Sequence, residues 1–213
     1  MVKPPAPTLS EPRKPPRQRR AKATVDVILE AATRILEETG LVGFNTNAVA
    51  VRAGVSIGSL YQYFPSKESI LTTLLRRERS VLLNTLLSLP PPPGLAELLH
   101  ALAGVSVAHQ LTRPRAATAL EHAEVLLPLS AETHALNEAI YAHLAAQLGE
   151  RGVPAPLQVA RDIMALSRGM IDAAGMSGET DAGALTTRVW RAVFGYVSAL
   201  GLTPPEPSGM TTP

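Results

Sequence analysis

No cysteine occurs anywhere in these 213 residues, which excludes disulfides, thiolate metal sites and cysteine nucleophiles and suits a reducing compartment. Equally absent is any run approaching the roughly 20 apolar residues that cross a bilayer. The opening segment MVKPPAPTLSEPRKPPRQRR places six prolines where a secretory signal needs a continuous apolar stretch. No stretch alternates apolar and polar residues as a sheet would. Catalytic signatures are missing too: there is no H-E-x-x-H, no phosphate-cradling G-x-x-x-x-G-K-[ST], no dinucleotide fingerprint and no G-x-S-x-G elbow. The histidines His100, His109, His122, His134 and His143 form no metal-ligand spacing, and His122, between Glu121 and Glu124, reads as a surface or pocket residue. The expectation is a cytoplasmic chain that is not an enzyme, with no cofactor, no metal and no membrane contact.

What is present is a substantial apolar fraction, 46%, enough for one or two domains with sizeable cores. Charge is divided unevenly. Residues 1–80 carry 13 Lys and Arg against 7 Asp and Glu, a net of +6, whereas residues 81–213 carry 7 against 11, a net of −4. Seven of the cations, Lys3, Arg13, Lys14, Arg17, Arg19, Arg20 and Lys22, crowd the first 22 positions. Such a segment is either a phosphate-neutralising arm or a solubilising tail. Residues 1–20 are predicted to be a disordered basic arm.

Every strong periodicity is helical, and the fold class predicted is all-α with about nine helices. Val25, Ile28, Leu29, Ala32, Ile35 and Leu36 stripe one face of a first helix that is expected to stop at Gly40. Two short helices follow, 46–53 and 57–63. After Pro65, Ser66 can cap a longer helix ending before the proline run 90–93, with Ile70, Leu71, Leu74, Leu75, Val81 and Leu82 on its face. Five further helices are predicted near 94–111, 114–127, 131–149, 155–176 and 180–201, delimited by Pro114, Pro128, Pro154, Pro156 and the Gly178 region. In the last two, Val159, Ile163, Leu166 and Met170 form one stripe and Leu185, Val189, Val193, Val197 and Leu200 another, with Gly169, Ala173, Ala174 and Gly175 allowing close approach. Two readings remain open: the stripes form a four-helix bundle with a twin subunit, or they pack inside the monomer. The resulting division is 21–65 for an N-terminal helical unit, 66–89 for a connecting helix, 94–202 for a C-terminal domain, and 203–213 for a disordered tail.

The segment NTNAVAVRAGVSIGSLYQYFPSKE, residues 45–68, is the most specific in the chain. It spells a short helix, a glycine turn at Gly54 flanked by the small residues Ala53 and Val55, a second helix capped by Ser56, and the capped start of a third. A helix of this kind fits the DNA major groove, where base edges present distinguishable donors and acceptors. Leu60 and Phe64, one turn apart, should face inward. Ser56, at its start, and Ile57, Gly58, Ser59, Tyr61, Gln62 and Tyr63 then face outward, toward the DNA. Gln62 suits a bidentate contact with adenine, Ile57 a thymine methyl, Ser59 several partners, and Gly58 a close backbone approach. Tyr63 reads either as a phosphate contact or as core packing beside Phe64. Arg52 reads either as a backbone contact or as a solvated arginine, and Arg76, Arg77 and Arg79 as a solvated face.

The order A-G-V-S, then G-S-L-Y, Y-Q-Y-F and S-K-E resembles the DNA-binding domain of the tetracycline-repressor (TetR) family of bacterial transcription regulators, over about a quarter of the chain from Ala23 to Arg79. The resemblance implies a three-helix helix-turn-helix head and a larger helical domain that binds a ligand and dimerises. It implies phosphate contacts at Thr46, Tyr61, Tyr63 and Lys67, the last aided by the anion-attracting start of its helix. Ile57 departs from the polar or basic residue common at its position. The implied partners are a near-palindromic double-stranded DNA operator, a twin subunit, and a small apolar or amphipathic effector, with His109, Glu121, His122, Tyr141 and Met164 as pocket candidates. Helix 66–89 would be the lever from pocket to head. The alternative is a DNA-bound interaction protein whose C-terminal domain docks a protein and takes no ligand.

Overall fold

The computed structural model describes residues 16–90, 92–127 and 131–201, and these form nine helices with no strand. In order they are α1 (Pro16–Gly43), α2 (Thr46–Ala53), α3 (Ile57–Tyr63), α4 (Lys67–Ser88), α5 (Leu95–Leu111), α6 (Pro114–Leu126), α7 (Ala131–Gly149), α8 (Pro156–Ser177) and α9 (Ala182–Ala199). Two boundaries differ from the sequence expectation. The helix starts at Pro16, so residues 16–20 of the predicted disordered arm are its first turn; proline, with φ already near the helical value and no N–H to satisfy, is suited to that position. At the other end Gly40 takes a left-handed φ of 62° and kinks the chain without ending it, and a last turn runs to Gly43. The remaining part of the arm, residues 1–15, and the tail 203–213 lie outside the described residues.

The head is built from α1 to α4 around Ile28, Ala32, Leu36, Val49, Leu60, Phe64, Ile70, Leu74 and Leu75, all buried. Its core is completed by a helix from beyond α5: Ala116, Ala119, Leu120 and Ala123 of α6 pack into it. The body forms a second core from α4, α5, α7, α8 and α9, including Leu82, Leu86, Leu99, Leu144, Leu148, Ile163 and Val193. A third cluster of Ala103, Val107, Ile171, Ala174, Leu185 and Val189 joins α5, α8 and α9. Helix α4 is thus rooted in both units, with Ile70 to Leu75 in the head and Leu82 and Leu86 in the body. No helix among the described residues is long and apolar enough to cross a membrane.

The expected subunit interface needs correction. Val159, Ile163, Leu185, Val189, Val193 and Val197 are all buried inside the single chain, 5% exposed or less. Stripes on α8 and α9 face α5, α7 and each other, because a lone amphipathic helix buries its apolar stripe against whatever neighbour the fold supplies first. Leu166, 40% exposed, and Met170, half-buried, are the members of the set still open to solvent. Gly175 allows a close approach within the chain: a Cβ there would lie 3.3 Å from Cβ of Pro114 on α6.

Candidate nucleic-acid interface

Local chemistry fixes the reading head. The Asn45 side chain accepts the Ala48 N–H at 2.8 Å and starts α2. Gly54 ends it in the left-handed region (φ 68°, ψ 28°), and the N–H of Val55 returns to the Ala50 carbonyl at 3.1 Å. Ser56 accepts the Ser59 N–H at 3.1 Å to start α3, while the two hydroxyls are 2.8 Å apart. Ser66 and Ser69 cap α4 reciprocally. Three turns are therefore held by caps that lie within a few residues of the groups they satisfy.

On this scaffold Leu60 is fully buried and Phe64 5% exposed, so α3 presents its other side outward. Ser56, Ile57, Gly58, Tyr61, Gln62, Tyr63 and Lys67 are exposed there, with Thr46 and Ser59 half-buried. Tyr63, at 37% exposure, is not taken into the core. The Thr46 hydroxyl lies 3.2 Å from the Tyr61 hydroxyl, tying the start of α2 to the middle of α3. All nine predicted DNA-facing residues thus fall in one stretch of two short helices and the start of α4. Between Gly40 and Lys67 there is no carboxylate and there are two cations, so nothing on the face itself repels phosphate. One of the two is occupied: Arg52 grips Glu38 through both carboxylate oxygens, at 2.8 and 2.5 Å, pinning α2 to α1 and holding the Glu38 carboxyl below its usual range. The other, Lys67, is exposed at the start of α4.

The family description "Bacterial regulatory proteins, tetR family" matches residues 28–74, a span that contains this whole arrangement. The chain belongs to the TetR family. An uncharacterized HTH-type transcriptional regulator of Mycobacterium tuberculosis (strain ATCC 25618 / H37Rv) is 29% identical to this TetR-family chain over 144 residues, 67% of it and 70% of the relative. The HTH-type transcriptional repressor KstR of Mycolicibacterium smegmatis is 45% identical over 51 residues, 24% of this chain and 25% of that one. The likeness in fold extends further than the likeness in sequence. A TetR transcriptional regulator from Rhodococcus sp. RHA1 superposes with a TM-score of 0.59 at 20% identity, covering 87% of this chain and 99% of that one. The fatty acid degradation regulator FadR from Bacillus halodurans gives 0.65 at 20% identity, covering 80% and 97%. This TetR-family protein is a DNA-binding transcriptional regulator.

The five pocket candidates of the body do not converge. Glu121 and Met164 line a cavity of about 30 Å³ with Arg79, Gln110, Ser167 and Arg168. Tyr141 and Met164 line a neighbouring one of about 10 Å³. His109 lies elsewhere, in a cleft of about 310 Å³ against the head, and His122 is exposed. The two small cavities have room for about one water, because side chains fill the centre. Arg79, 8% exposed, donates to Glu124 at 2.5 Å, and Asn137 donates to the other Glu124 oxygen at 3.0 Å. Arg168 lies 3.3 Å from Glu121 and 3.7 Å from Glu124, and Gln110 donates to Asp172 at 2.7 Å.

Of the arginine trio expected on a solvated face, Arg76 pairs with Glu132 and Arg77 lies 3.4 Å from Asp26, both exposed, but Arg79 is buried. Its Nε has no partner. Burial and a hydrogen bond with Asp172 push the Glu121 carboxyl up to about 8, and the Arg168 guanidinium opposes this without prevailing. Burial pushes Glu124 up as well, but Arg79 and Asn137 prevail and hold it below the usual range. The sequence expectation put Arg79 in solvent, named Glu124 only beside His122, and gave Arg168 and Asp172 no role. The available signal was the i,i+3 pair Glu121/Glu124 on α6 with the i,i+4 pair Arg168/Asp172 on α8, opposite charges on helices that pack together.

Proposed function

We propose that this regulator is a repressor that binds a near-palindromic operator as a homodimer, one head per half-site, and releases it when a small apolar or amphipathic effector binds. The observation that carries the reading is the exposed, carboxylate-free face of α3 flanked by Thr46 and Lys67. Gln62 and Ile57 read base edges, Ser59 and Gly58 allow close approach, and Ser56, Thr46, Tyr61, Tyr63 and Lys67 hold phosphates. The Thr46–Tyr61 hydrogen bond supports this assignment of roles, since it orients two phosphate donors on different helices together.

The twin subunit packs on the outward face of α8, where Leu166 and Met176 (40% and 78% exposed) stand among exposed Ala165, Gly169 and Ala173. Small residues at that spacing let another helix come close. Because α4 is rooted in both cores, a change in the body tilts the head, and two heads at a wrong separation cannot reach both half-sites. A second reading is favoured by the closed centre of the body: a DNA-bound protein whose body docks another protein and takes no ligand. Gel-shift titration against palindromes from its own and neighbouring promoters tests the first reading. Binding of one palindrome by a dimer is expected, and failure to bind any at low salt would refute it.

A further inference from the structure

A cleft at the joint between head and body lies among α1, α4, α5 and α6, and holds about 310 Å³, the lower end of the range for small-molecule sites, roughly 300–1,000 Å³. Its floor is apolar, made by Leu29, Leu74, Val81 and Leu120. Its rim carries Glu30, Arg77, Glu78, His109 and Arg113. Three of these are already engaged: Arg113 donates to Glu30 at 2.9 Å and lies 3.7 Å from Glu37, and Arg77 lies 3.4 Å from Asp26. Glu78 differs. Its Oε2 lies 3.3 Å from Nε2 of His109, and burial lowers the tendency of that imidazole to take a proton, so at neutral pH it offers a neutral N–H and no charge. Arg113 acts on Glu78 only from farther away.

We infer that this cleft is an effector site for a small amphipathic amine, with the ammonium on Glu78 and the apolar body on the Leu29–Leu74–Leu120 floor. An anion is disfavoured because both guanidiniums of the rim are committed to carboxylates of the chain. A metal ion is disfavoured because Glu78 and His109 alone are too few ligands, and no group of three His, Cys, Asp or Glu suited to one occurs among the described residues. The position explains what occupancy would do. The walls belong to α1 and α6, which share the head's core, to α4, and to α5 of the body, so an occupant wedges the head away from α5 beside the contact that Arg113 and Glu30 close. The inference rests on the ligand-responsive reading above for its effect on DNA, and on this cleft alone for binding.

Titration calorimetry with the full chain and phenethylamine tests it, with 2-phenylethanol as the uncharged isostere and sodium chloride at equal ionic strength as the control for DNA release. The amine is expected to bind at least roughly tenfold more tightly than the alcohol, the difference a charge-assisted hydrogen bond makes. Glu78→Gln should bring the two to equal affinity. Thr33→Trp, which fills the cleft from α1, should abolish binding of both, while circular dichroism shows each variant folded. Equal affinities in the unaltered protein, no amine binding at millimolar concentration, or undiminished binding to folded Thr33→Trp would overturn the inference. Amine binding by a protein that binds no palindrome would leave the cleft standing and refute the repressor reading instead. Amine binding that leaves operator affinity unchanged would overturn the site's role as an effector site.

Discussion

Replacing Glu121 by glutamine should stabilise this protein at neutral and alkaline pH, and the size of the effect follows from the burial of one carboxyl. Glu121 is 13% exposed, and its folded-state pKa of about 8 compares with 4.5 for the ordinary side chain. Between those values the folded protein holds a proton that the unfolded chain gives up. Stability therefore falls as pH rises from about 4.5 to about 8, by up to about 1.4 kcal/mol per unit, and levels off beyond. At pH 7 the accumulated loss is about 3 kcal/mol. Glutamine has the shape of the protonated acid and no such loss, so Glu121→Gln should exceed the unaltered protein by about 3 kcal/mol at pH 7 and match it near pH 4.5. Urea unfolding at half-unit steps from pH 5 to 9 measures this. The window stays above the range in which Glu124, held low by Arg79, begins to take a proton. Parallel stability curves for the two proteins would refute the claim that the Glu121 carboxyl is neutral in the fold.

Three further outcomes are expected. Lys67→Ala should weaken binding to good and poor DNA sequences alike and reduce the slope of log affinity against log salt by about 1, whereas Gln62→Ala should cost about 1–3 kcal/mol at one base pair and leave the slope unchanged; unaltered sequence preference in Gln62→Ala would remove it from the readers. Gly54→Ala has open space for its methyl but sits at φ 68°, so its cost is backbone strain of about 1 kcal/mol, a fall in Tm of about 2–4 °C by calorimetry. Leu166→Glu puts a charge on the outward face of α8 and should convert dimers to monomers in sedimentation at micromolar concentration without loss of helix; an unchanged sedimentation profile would move the interface elsewhere.

Most of the reading head was legible because its determinants are short-range. Asn45, Gly54, Ser56 and Ser66 each satisfy groups within about one turn, so the residue types at those spacings specify α2, the turn, α3 and the start of α4 with their boundaries. Leu60 and Phe64 could be placed inward and Tyr61 and Gln62 outward because one helix has only one apolar side to bury. The pocket candidates fared differently. Neighbours such as Glu121 and His122 point about 100° apart on a helix, so one enters the body's polar centre and the other meets solvent.

By itself, then, the sequence determined the all-helical class, the helix boundaries to within a few residues and the outward face of α3, all consequences of caps, breakers and a 3.6-residue period. Tertiary structure alone decided what each buried face meets. The stripes of α8 and α9 announce burial without naming a partner, and the partner is the same chain's own α5 and α7. Likewise Arg79 carries no mark separating it from Arg76 and Arg77; it is buried because α6 brings Glu124 to within 2.5 Å of it across 45 residues of chain. An apolar period records that a surface is hidden from water, whereas the identity of what hides it is a property of the packed whole.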